Sequence, residues 1–371
     1  MIYCADRQST PADGGETIGG GFLFARALRC ASEGGNMKHI LIIYTGGTIG
    51  MVRTPNGYAP RDGYFRKALD AIPPLASAEM PRWELLELSP LLDSSNMTVN
   101  EWNKIAHIIA DNYDSYDGFV VLHGTDTMAY TASALSFMLE GLAKPVVLTG
   151  SQIPLCELRS DGRDNIITSV LIAAGERVRE VCLYFGGSLL RGNRATKYSA
   201  DGLIAFVSPN YPPLAEAGIT IRYNDAALLP GQTGGLHLQT LENVPIGVIK
   251  VFPGIQFELF ESIMTEKLRG IVIETFGAGN IPGDGGALLP IIRRAFRNGT
   301  VLTVCSQCPQ GAVSLGAYET SSALKRAGAV SGLDITTEAA VAKLYYLFSR
   351  GLDKETVKRE MERPLRGEMT P

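Results

Sequence analysis

The feature that most constrains the fold of this chain is a series of short, nearly continuous apolar runs rich in β-branched residues. The first four of these runs lie at 39–44, 118–123, 145–149 and 181–185. Runs of this kind are typical of strands that are buried on both faces of a parallel sheet. Because helical patterns separate them, the sequence predicts an α/β fold with a mostly parallel sheet.

The helices are predicted from spacing and capping. Residues 98–101 read TVNE, a capping box in which a threonine and a glutamate satisfy the first free N–H groups of a helix. Two further helices are expected at 127–139 and 164–174. A second alternating set begins near Pro245. Its strands are expected at 247–252, 270–274 and 300–304, and its helices at 257–267, 287–297 and 337–348.

The length of the chain predicts two domains, since 371 residues are too many for one compact core. Residues 225–244 are rich in proline and glycine with little periodicity, which indicates a linker or hairpin. We therefore expect an N-terminal α/β domain at 37–224 and a second α/β domain at 245–371. Residues 1–36 indicate a disordered tail or a misassigned start, with Met37 as the natural first residue.

Composition argues against several classes of partner. The net charge is −4 without a Lys/Arg-rich run, so we expect no binding of nucleic acid. No apolar stretch approaches the roughly 20 residues that span a bilayer, so we expect no membrane partner. The six cysteines lack a secreted framework, and the redox or zinc spacing of Cys305 and Cys308 has no second pair beside it. We expect a cytoplasmic protein without a cofactor or metal.

Three polar clusters follow predicted strands, at the sheet edge where open α/β folds bind ligands. They read YTGGTIG at 44–50, HGTDT at 123–127 and RGNRATK at 191–197. The first cluster lacks the Gly-Lys-Ser/Thr ending or the Gly-x-Gly-x-x-Gly run of a phosphate loop. It is therefore either a tight glycine turn or a catalytic loop that offers the hydroxyls of Thr45 and Thr48.

The second and third clusters supply charges beside hydroxyls. Thr125 and Asp126 stand near a predicted helix start, where one of them would suffice as a cap. A carboxylate there can bind an ammonium group, and helix N–H groups can stabilise an oxyanion. Lys197 alone is typical of a solvated surface, and becomes a candidate base only beside a hydroxyl. The four histidines form no set with a serine or cysteine nucleophile, and His123 favours a packing or capping role.

The first two clusters resemble the two signature motifs of the bacterial-type L-asparaginases. The absence of a secretory leader makes the pattern most similar to the type I, cytoplasmic branch. The resemblance implies a catalytic N-terminal α/β domain and a smaller flavodoxin-like C-terminal α/β domain. It also implies a homodimer or homotetramer with active sites closed by a neighbouring subunit. Further matching stretches are LDSS (92–95), TGSQ (149–152), SDG (160–162), RGNR (191–194), GAGN (277–280) and LRGE (365–368).

Carried over by position, the resemblance implies that Thr48 is the nucleophile and that Tyr58 assists its deprotonation. Thr125, Asp126 and Lys197 would form a second catalytic group. The implied reaction is hydrolysis of L-asparagine to L-aspartate and ammonia through a threonine acyl-enzyme. The order of the roles of the two threonines stays open, because both hydroxyls could face the substrate.

Substrate binding is assigned by the same resemblance. Ser94 would bind the α-carboxylate and Asp126 the α-ammonium, with Ser95 and Thr125 beside them. The physical logic agrees, because asparagine carries a carboxylate, an ammonium and a neutral amide. A site for it needs hydrogen-bond donors, one anion and a nucleophile, and these residues supply each.

Two departures from the family pattern change what we expect. Asn96 stands where family members commonly carry Asp, so one negative charge is absent near the pocket rim. Some type I enzymes have a second, regulatory asparagine site with an arginine at a position that is Glu274 here. Thr196 and Cys308 match other parts of that site. Because Glu274 disfavours a bound carboxylate, we predict weak or absent cooperativity.

Three alternatives remain. A mixed glutaminase and asparaginase is one, since one methylene shifts selectivity by only about 1–3 kcal/mol. The amidase component of a tRNA-dependent amidotransferase shares these motifs, but it would need an additional N-terminal domain that 36 glycine-rich residues cannot supply. From a different class, the chain could be a catalytically silent binder of amino acids or amides.

Overall fold

Strands and helices alternate along the described chain. The computed structural model describes residues 37–61, 63–231, 234–263, 267–282, 288–317 and 319–371, so the predicted tail at 1–36 lies outside the described residues. The strands are β1 (His39–Gly46), β2 (Met51–Thr54), β3 (Gly57–Pro60), β4 (Arg82–Leu92), β5 (Gly118–Leu122), β6 (Leu139–Glu140), β7 (Val146–Thr149), β8 (Val181–Phe185), β9 (Ser188–Arg191), β10 (Thr196–Lys197), β11 (Phe206–Val207), β12 (Ala215–Ala217), β13 (Ile221–Tyr223), β14 (His237–Leu238), β15 (Ile246–Lys250), β16 (Gly270–Thr275), β17 (Val301–Ser306) and β18 (Val330–Ser331). The α-helices are α1 (Tyr64–Asp70), α2 (Val99–Asp111), α3 (Met128–Met138), α4 (Gly162–Ala173), α5 (Leu288–Arg297), α6 (Glu319–Arg326), α7 (Thr337–Ser349) and α8 (Lys354–Met361).

The larger sheet has the strand order β13-β12-β9-β8-β7-β5-β1-β4. Its central strands β8, β7, β5, β1 and β4 pair in parallel, and β9, β12 and β13 extend it in antiparallel fashion. Every residue of β5, β7 and β8 is buried. Along β1, Leu41 and Ile43 face one apolar cluster while Ile40 and Ile42 face another. The apolar runs of the sequence are therefore strands covered on both faces, as predicted.

The smaller sheet is parallel throughout, with the order β15-β16-β17-β18. The predicted α/β class with two mostly parallel sheets is thus confirmed. The residues from Lys38 to Pro371 form one compact unit. Buried residues of α3 and α7 belong to the same apolar cluster, so a continuous core joins the two sheets. The domain boundaries at 224 and 245 stay a prediction.

The predicted helices are largely present. The capping box of α2 is confirmed. The Thr98 side chain accepts from a backbone N–H of the first helical turn, and the Glu101 side chain accepts from the Thr98 N–H. The stretch predicted as a helix at 257–267 is instead a 3-10 helix at Phe257–Ile263, and residues 264–266 lie outside the described ones.

The edge strand β4 is not among the predicted strands, because charged residues alternate with apolar ones and Pro90 interrupts it. No helix among the described residues is long and apolar enough to cross a membrane.

Candidate active site

The candidate site lies where β1, β5 and β7 end, at the edge that the strand order predicts. The loops that follow these strands are joined by hydrogen bonds. The Thr45 hydroxyl donates to the Leu122 carbonyl oxygen at 2.9 Å, and the His123 N–H donates to the Thr149 carbonyl oxygen at 2.9 Å. The first two polar clusters and the TGSQ stretch therefore meet at one place.

Glycines allow these loops to pack backbone against backbone. Gly46 and Gly47 have φ values of +127° and +87°, which L side chains rarely adopt. A Cβ on Gly47 would lie 2.5 Å from the Cα of Gly124, and a Cβ on Gly124 would lie 2.4 Å from the Ser94 hydroxyl oxygen. Neither distance is compatible with a side chain. The glycines of both signature motifs are thus required for the close approach of the loops.

Thr48 begins a 3-10 turn, Thr48–Gly50, directly after this contact. The turn is anchored by Ile49, which is fully buried and accepts a hydrogen bond from the Leu155 N–H at 3.1 Å. Thr48 itself is only partly buried, and its hydroxyl has no hydrogen-bond partner among the residues that the structure describes. A rigid turn therefore presents a hydroxyl that is free to meet a ligand.

Lys197 brings the second and third clusters together. Its ammonium donates to the Thr125 hydroxyl at 2.9 Å and to a carboxylate oxygen of Asp126 at 2.6 Å. Thr125 is buried, whereas the Asp126 side chain is 65% exposed. The carboxylate can therefore accept a second cation, while the threonine hydroxyl is shielded and polarised by the lysine.

Gln152 completes this group and is not among the predicted site residues. Its side-chain oxygen accepts from the Thr125 hydroxyl at 3.3 Å. Its amide nitrogen donates to the Gly202 carbonyl oxygen at 3.2 Å, and its backbone N–H donates to Asp161. The signal that could have found it is its position just after β7, on the same sheet edge as Thr125.

The two predicted serines lie on the 3-10 turn Ser94–Asn96. Ser94 is buried, 5% exposed, and its carbonyl oxygen accepts from the Thr127 hydroxyl at 2.7 Å. The Asp93 side chain accepts from the Ser95 N–H at 3.0 Å, which holds the turn. Ser94 thus faces the Thr125 loop, while Ser95 and Asn96 are exposed.

His123 is buried beneath the site as a neutral ring. The Trp102 N–H donates to the Thr131 hydroxyl at 3.0 Å, so the Thr131 hydrogen is left to donate to His123 Nε2 at 2.9 Å. His123 Nδ1 then donates to the Gly124 carbonyl oxygen at 2.7 Å. Burial lowers the pKa of His123 to about 4. Its packing role agrees with the sequence interpretation.

Tyr58 is the one predicted catalytic residue that the structure keeps apart from its expected partner. It lies on β3, is 44% exposed, and its hydroxyl contacts Glu157 and Arg53. No hydrogen bond joins it to Thr48 within the described ranges. The structure therefore groups the loops of Thr48, Ser94, Thr125, Asp126 and Lys197, and leaves Tyr58 at their border.

The position where some type I enzymes carry a regulatory arginine is Glu274 here. Glu274 accepts from the Thr337 hydroxyl at 2.6 Å. Next to it, Glu338 accepts from the Thr196 hydroxyl at 2.6 Å, and burial raises the pKa of Glu338. Cys308 is exposed and unpaired with Cys305, which is buried. The prediction of weak cooperativity stays a prediction.

Comparisons with known proteins agree with this geometry. The family model described as Asparaginase, N-terminal, matches residues 39–229, and the Glutaminase/Asparaginase C-terminal domain matches residues 245–361. L-asparaginase 1 of Escherichia coli is 47% identical over 90% of this chain and 98% of its own length. The crystal structure of L-asparaginase I from Vibrio cholerae has 46% identity and a TM-score of 0.84, covering 91% of this chain and all of that one.

A more distant relative bears on the alternatives. A glutamyl-tRNA(Gln) amidotransferase component of Pyrococcus horikoshii is 33% identical over 91% of this chain, but only 78% of that protein is covered. The two family matches together span nearly all of the described chain, and the L-asparaginases of Escherichia coli and Vibrio cholerae are matched almost end to end. The chain belongs to the asparaginase family.

Proposed function

We propose that this protein is an L-asparaginase that hydrolyses L-asparagine to L-aspartate and ammonia. The observation that carries the proposal is the contact of Lys197 with both Thr125 and Asp126, beside the turn of Thr48. This arrangement offers a free hydroxyl, a shielded hydroxyl bound to a cation, and an exposed carboxylate. The relatives named as L-asparaginases support the same substrate.

In the first step, the Thr48 oxygen attacks the side-chain amide carbon of asparagine. The C–N bond breaks, ammonia leaves with the proton from Thr48, and a β-aspartyl ester remains on Thr48. Tyr58 assists the removal of the proton. A general base of this kind contributes about 10²–10⁴ to the rate.

In the second step, water attacks the ester and releases aspartate, which restores the Thr48 hydroxyl. Thr125 accepts the hydrogen bond of Lys197 and donates its own hydrogen to Gln152. Water that binds beside this hydroxyl is oriented and polarised by the lysine. The reversed assignment, with Thr125 as the nucleophile, is less well supported because the Thr125 hydroxyl is already engaged on both sides.

The α-ammonium and the α-carboxylate of the substrate are bound at two different places. The exposed Asp126 carboxylate has a free oxygen for the α-ammonium, and its charge is shared with Lys197. The Ser94 and Ser95 turn offers hydroxyl donors to the α-carboxylate. Charge-assisted hydrogen bonds of this kind are stronger than neutral ones, so they orient the amide toward Thr48.

Kinetics of the purified protein on L-asparagine, L-glutamine and D-asparagine, measured as ammonia release, test the proposal. We expect turnover of L-asparagine, and a loss of about 10⁴-fold or more in kcat for Thr48→Ala. Thr48→Ser keeps a hydroxyl and is the matched control. Absence of turnover at millimolar substrate would favour a silent binder, and equal efficiency on glutamine would favour the mixed enzyme.

If Thr48→Ala kept a near-normal kcat while Thr125→Ala did not, the two threonines would exchange roles. Both variants should remain folded, because Thr48 is only partly buried and Thr125→Ala removes a single hydroxyl whose partners, Lys197 and Gln152, lie in the site and not in the apolar core. Circular dichroism and unfolding in urea establish this before any kinetic comparison.

We further propose that the protein is cytoplasmic and that it forms a homodimer or homotetramer with sites closed by a neighbouring subunit. Support comes from the resemblance to the type I branch and from the open border of the site at Tyr58 and Asp126. Light scattering after size exclusion measures the mass of the assembly. A monomer with full activity would contradict the proposed closure.

A further inference from the structure

The β2–β3 hairpin begins directly after the Thr48 turn and carries Tyr58 opposite Arg53 in its register. The Arg53 guanidinium lies 5.7 Å from the centre of the Tyr58 ring and donates to its hydroxyl oxygen at 3.2 Å. It also pairs with Glu157 at 3.1 Å. Arg53, on β2, therefore contacts both Tyr58 on β3 and Glu157 on a separate loop.

Glu157 lies on the 150–161 loop, which is attached to the body of the site. The Leu155 N–H donates to the carbonyl oxygen of Ile49, the residue after Thr48, at 3.1 Å. The carboxylate of Asp161 accepts from the N–H groups of Gln152 and Ile153. Glu157 is therefore presented from a fixed loop, whereas the hairpin is bound to that loop through exposed side chains.

The Tyr58 hydroxyl is engaged on both sides in this arrangement. It donates its single hydrogen to Glu157 at 2.7 Å and accepts from Arg53. A phenol oxygen that faces a guanidinium is a poorer proton acceptor than a free one, because the cation competes for its lone pair. The hydrogen bond from Tyr58 also lowers the pKa of Glu157, so the acid remains ionised.

We infer that Arg53 and Glu157 are positioning residues that hold Tyr58 in a waiting position, from which substrate binding must release it. This inference rests on the proposed role of Tyr58 as the group that assists Thr48. The waiting position is weak by construction, since the Arg53 and Glu157 side chains are 73% and 30% exposed. Exposed ion pairs are screened by solvent and salt, so the substrate can compete with them.

The waiting position has a kinetic consequence. Apparent affinity is reduced by the fraction of molecules in which the hairpin is not ready, so loosening the contact should improve apparent affinity. Glu157→Gln keeps the size of the side chain and removes its charge. We expect this variant to lower the KM for asparagine by about two- to fivefold while kcat stays within about twofold of the original.

The matched control is Glu79→Gln, which removes the same charge from an exposed glutamate with no ion pair in the described part of the chain. Its KM should equal that of the unmodified protein. In a Tyr58→Phe background, Glu157→Gln should no longer change KM, because the hydroxyl that Glu157 holds is absent. Rising salt should lower KM in the unmodified protein and have less effect in Glu157→Gln.

Hydrogen exchange of the amides at 51–60 gives a readout that does not depend on turnover. We expect faster exchange in Glu157→Gln and in Tyr58→Phe than in Glu79→Gln. Unchanged exchange with an unchanged KM would overturn the waiting position. A fall in kcat at constant KM would overturn it in a different way, by showing that Glu157 assists the chemistry instead.

The two proposals fail separately. If the unmodified protein released no ammonia from L-asparagine, the proposed function would fail whatever Glu157→Gln did to amide exchange. If Thr48→Ala were inactive while Glu157→Gln matched Glu79→Gln in KM and in exchange, only the waiting position would fail.

Discussion

Two lysine–carboxylate pairs in this protein have almost the same length and opposite surroundings. Lys197 and Asp126 are 2.6 Å apart, with side chains 21% and 65% exposed. Lys343 and Glu368 are 2.7 Å apart, with both side chains fully buried. The pairs therefore share their chemistry and differ only in what else surrounds them.

The buried pair is fully satisfied. The ammonium of Lys343, on α7, also donates to the carbonyl oxygens of Met361 and Arg363 at 3.1 and 2.5 Å. Glu368 accepts from the N–H groups of Leu365 and Arg366. Burial lowers the pKa of Lys343 against the opposing effect of Glu368. All three ammonium hydrogens are used, so this pair ties the C-terminal segment to the core and offers nothing to a ligand.

The exposed pair of Lys197 and Asp126 retains hydrogen-bonding capacity, which makes it suitable for binding a substrate. One oxygen of the exposed Asp126 carboxylate is available to an incoming group. The comparison teaches that burial, rather than the identity of the ions, separates a structural lysine from a candidate catalytic one. It also predicts that the two lysines respond to substitution in opposite ways.

The largest expected effect is on activity, in Lys197→Met. Loss of the ammonium should lower kcat by about 10²–10⁴, while the free energy of unfolding changes by less than about 1 kcal/mol. Lys38→Met, which removes surface ion pairs far from the site, is the control and should keep full activity. Steady-state ammonia release and urea unfolding measure the two quantities. A large loss of stability in Lys197→Met would break the comparison.

Lys343→Met should show the reverse. It leaves the Glu368 carboxylate buried and unpaired, which costs about 3–5 kcal/mol of folding free energy. Urea unfolding measures the loss, and activity per folded molecule should stay near normal. Adding Glu368→Gln should recover part of the stability, because the amide oxygen still accepts from the backbone while the charge is gone. No recovery in the double variant would contradict this account.

Another buried ionisable group, His123, has no countercharge in the part of the chain that the structure describes, and its effect on stability is expected on acidification. Its pKa is about 4 when folded and near 6.5 when unfolded, so the unfolded chain binds more protons between these values. Stability is therefore fully present above about pH 6.5 and is lost as pH falls toward 4, by up to about 3 kcal/mol. His123→Asn should flatten this part of the pH dependence of unfolding. An unchanged slope would contradict it.

The smallest expected effect concerns the neighbour of the exposed pair. Gln152→Leu removes the acceptor of the Thr125 hydroxyl, which is worth about 1 ± 0.5 kcal/mol, or a decrease in kcat of about two- to thirteenfold. Gln239→Leu removes a side-chain amide that donates to the Thr240 carbonyl oxygen, and it should leave kcat unchanged. Equal rates for the two variants would show that Lys197 alone orients Thr125.

Much of the fold was predictable because its signals are local. The strand β5 could be predicted from the nearly continuous apolar run at 118–123, and α2 from its capping box. The strand β4 could not, since its exposed edge and mixed polarity hide it. Family motifs supplied the candidate site residues, whose roles stay a prediction, and they gave no sign of the Gln152 contact or of the partners of Tyr58. Those depend on distances between loops far apart in sequence.

The pairing of Lys343 with Glu368 is another contact that could not be predicted from the sequence. In the sequence Lys343 is a lysine on a helix, which usually means solvent, and Glu368 stands in a segment without periodicity. Only the packing of α7 against the chain end places them together. The LRGE stretch at 365–368 carried a family resemblance without a physical reason, and its partner Lys343 supplies that reason.

The glycine contact between the Thr48 and Thr125 loops limits how this enzyme can be redesigned. With no side chains between Gly47 and Gly124, the spacing of the two threonines is set by backbone thickness and cannot be widened by repacking. A larger substrate such as glutamine must therefore be accommodated elsewhere. Libraries that vary the β2–β3 hairpin and the 150–161 loop should yield altered selectivity, whereas libraries at 45–48 and 123–127 should yield mostly inactive chains.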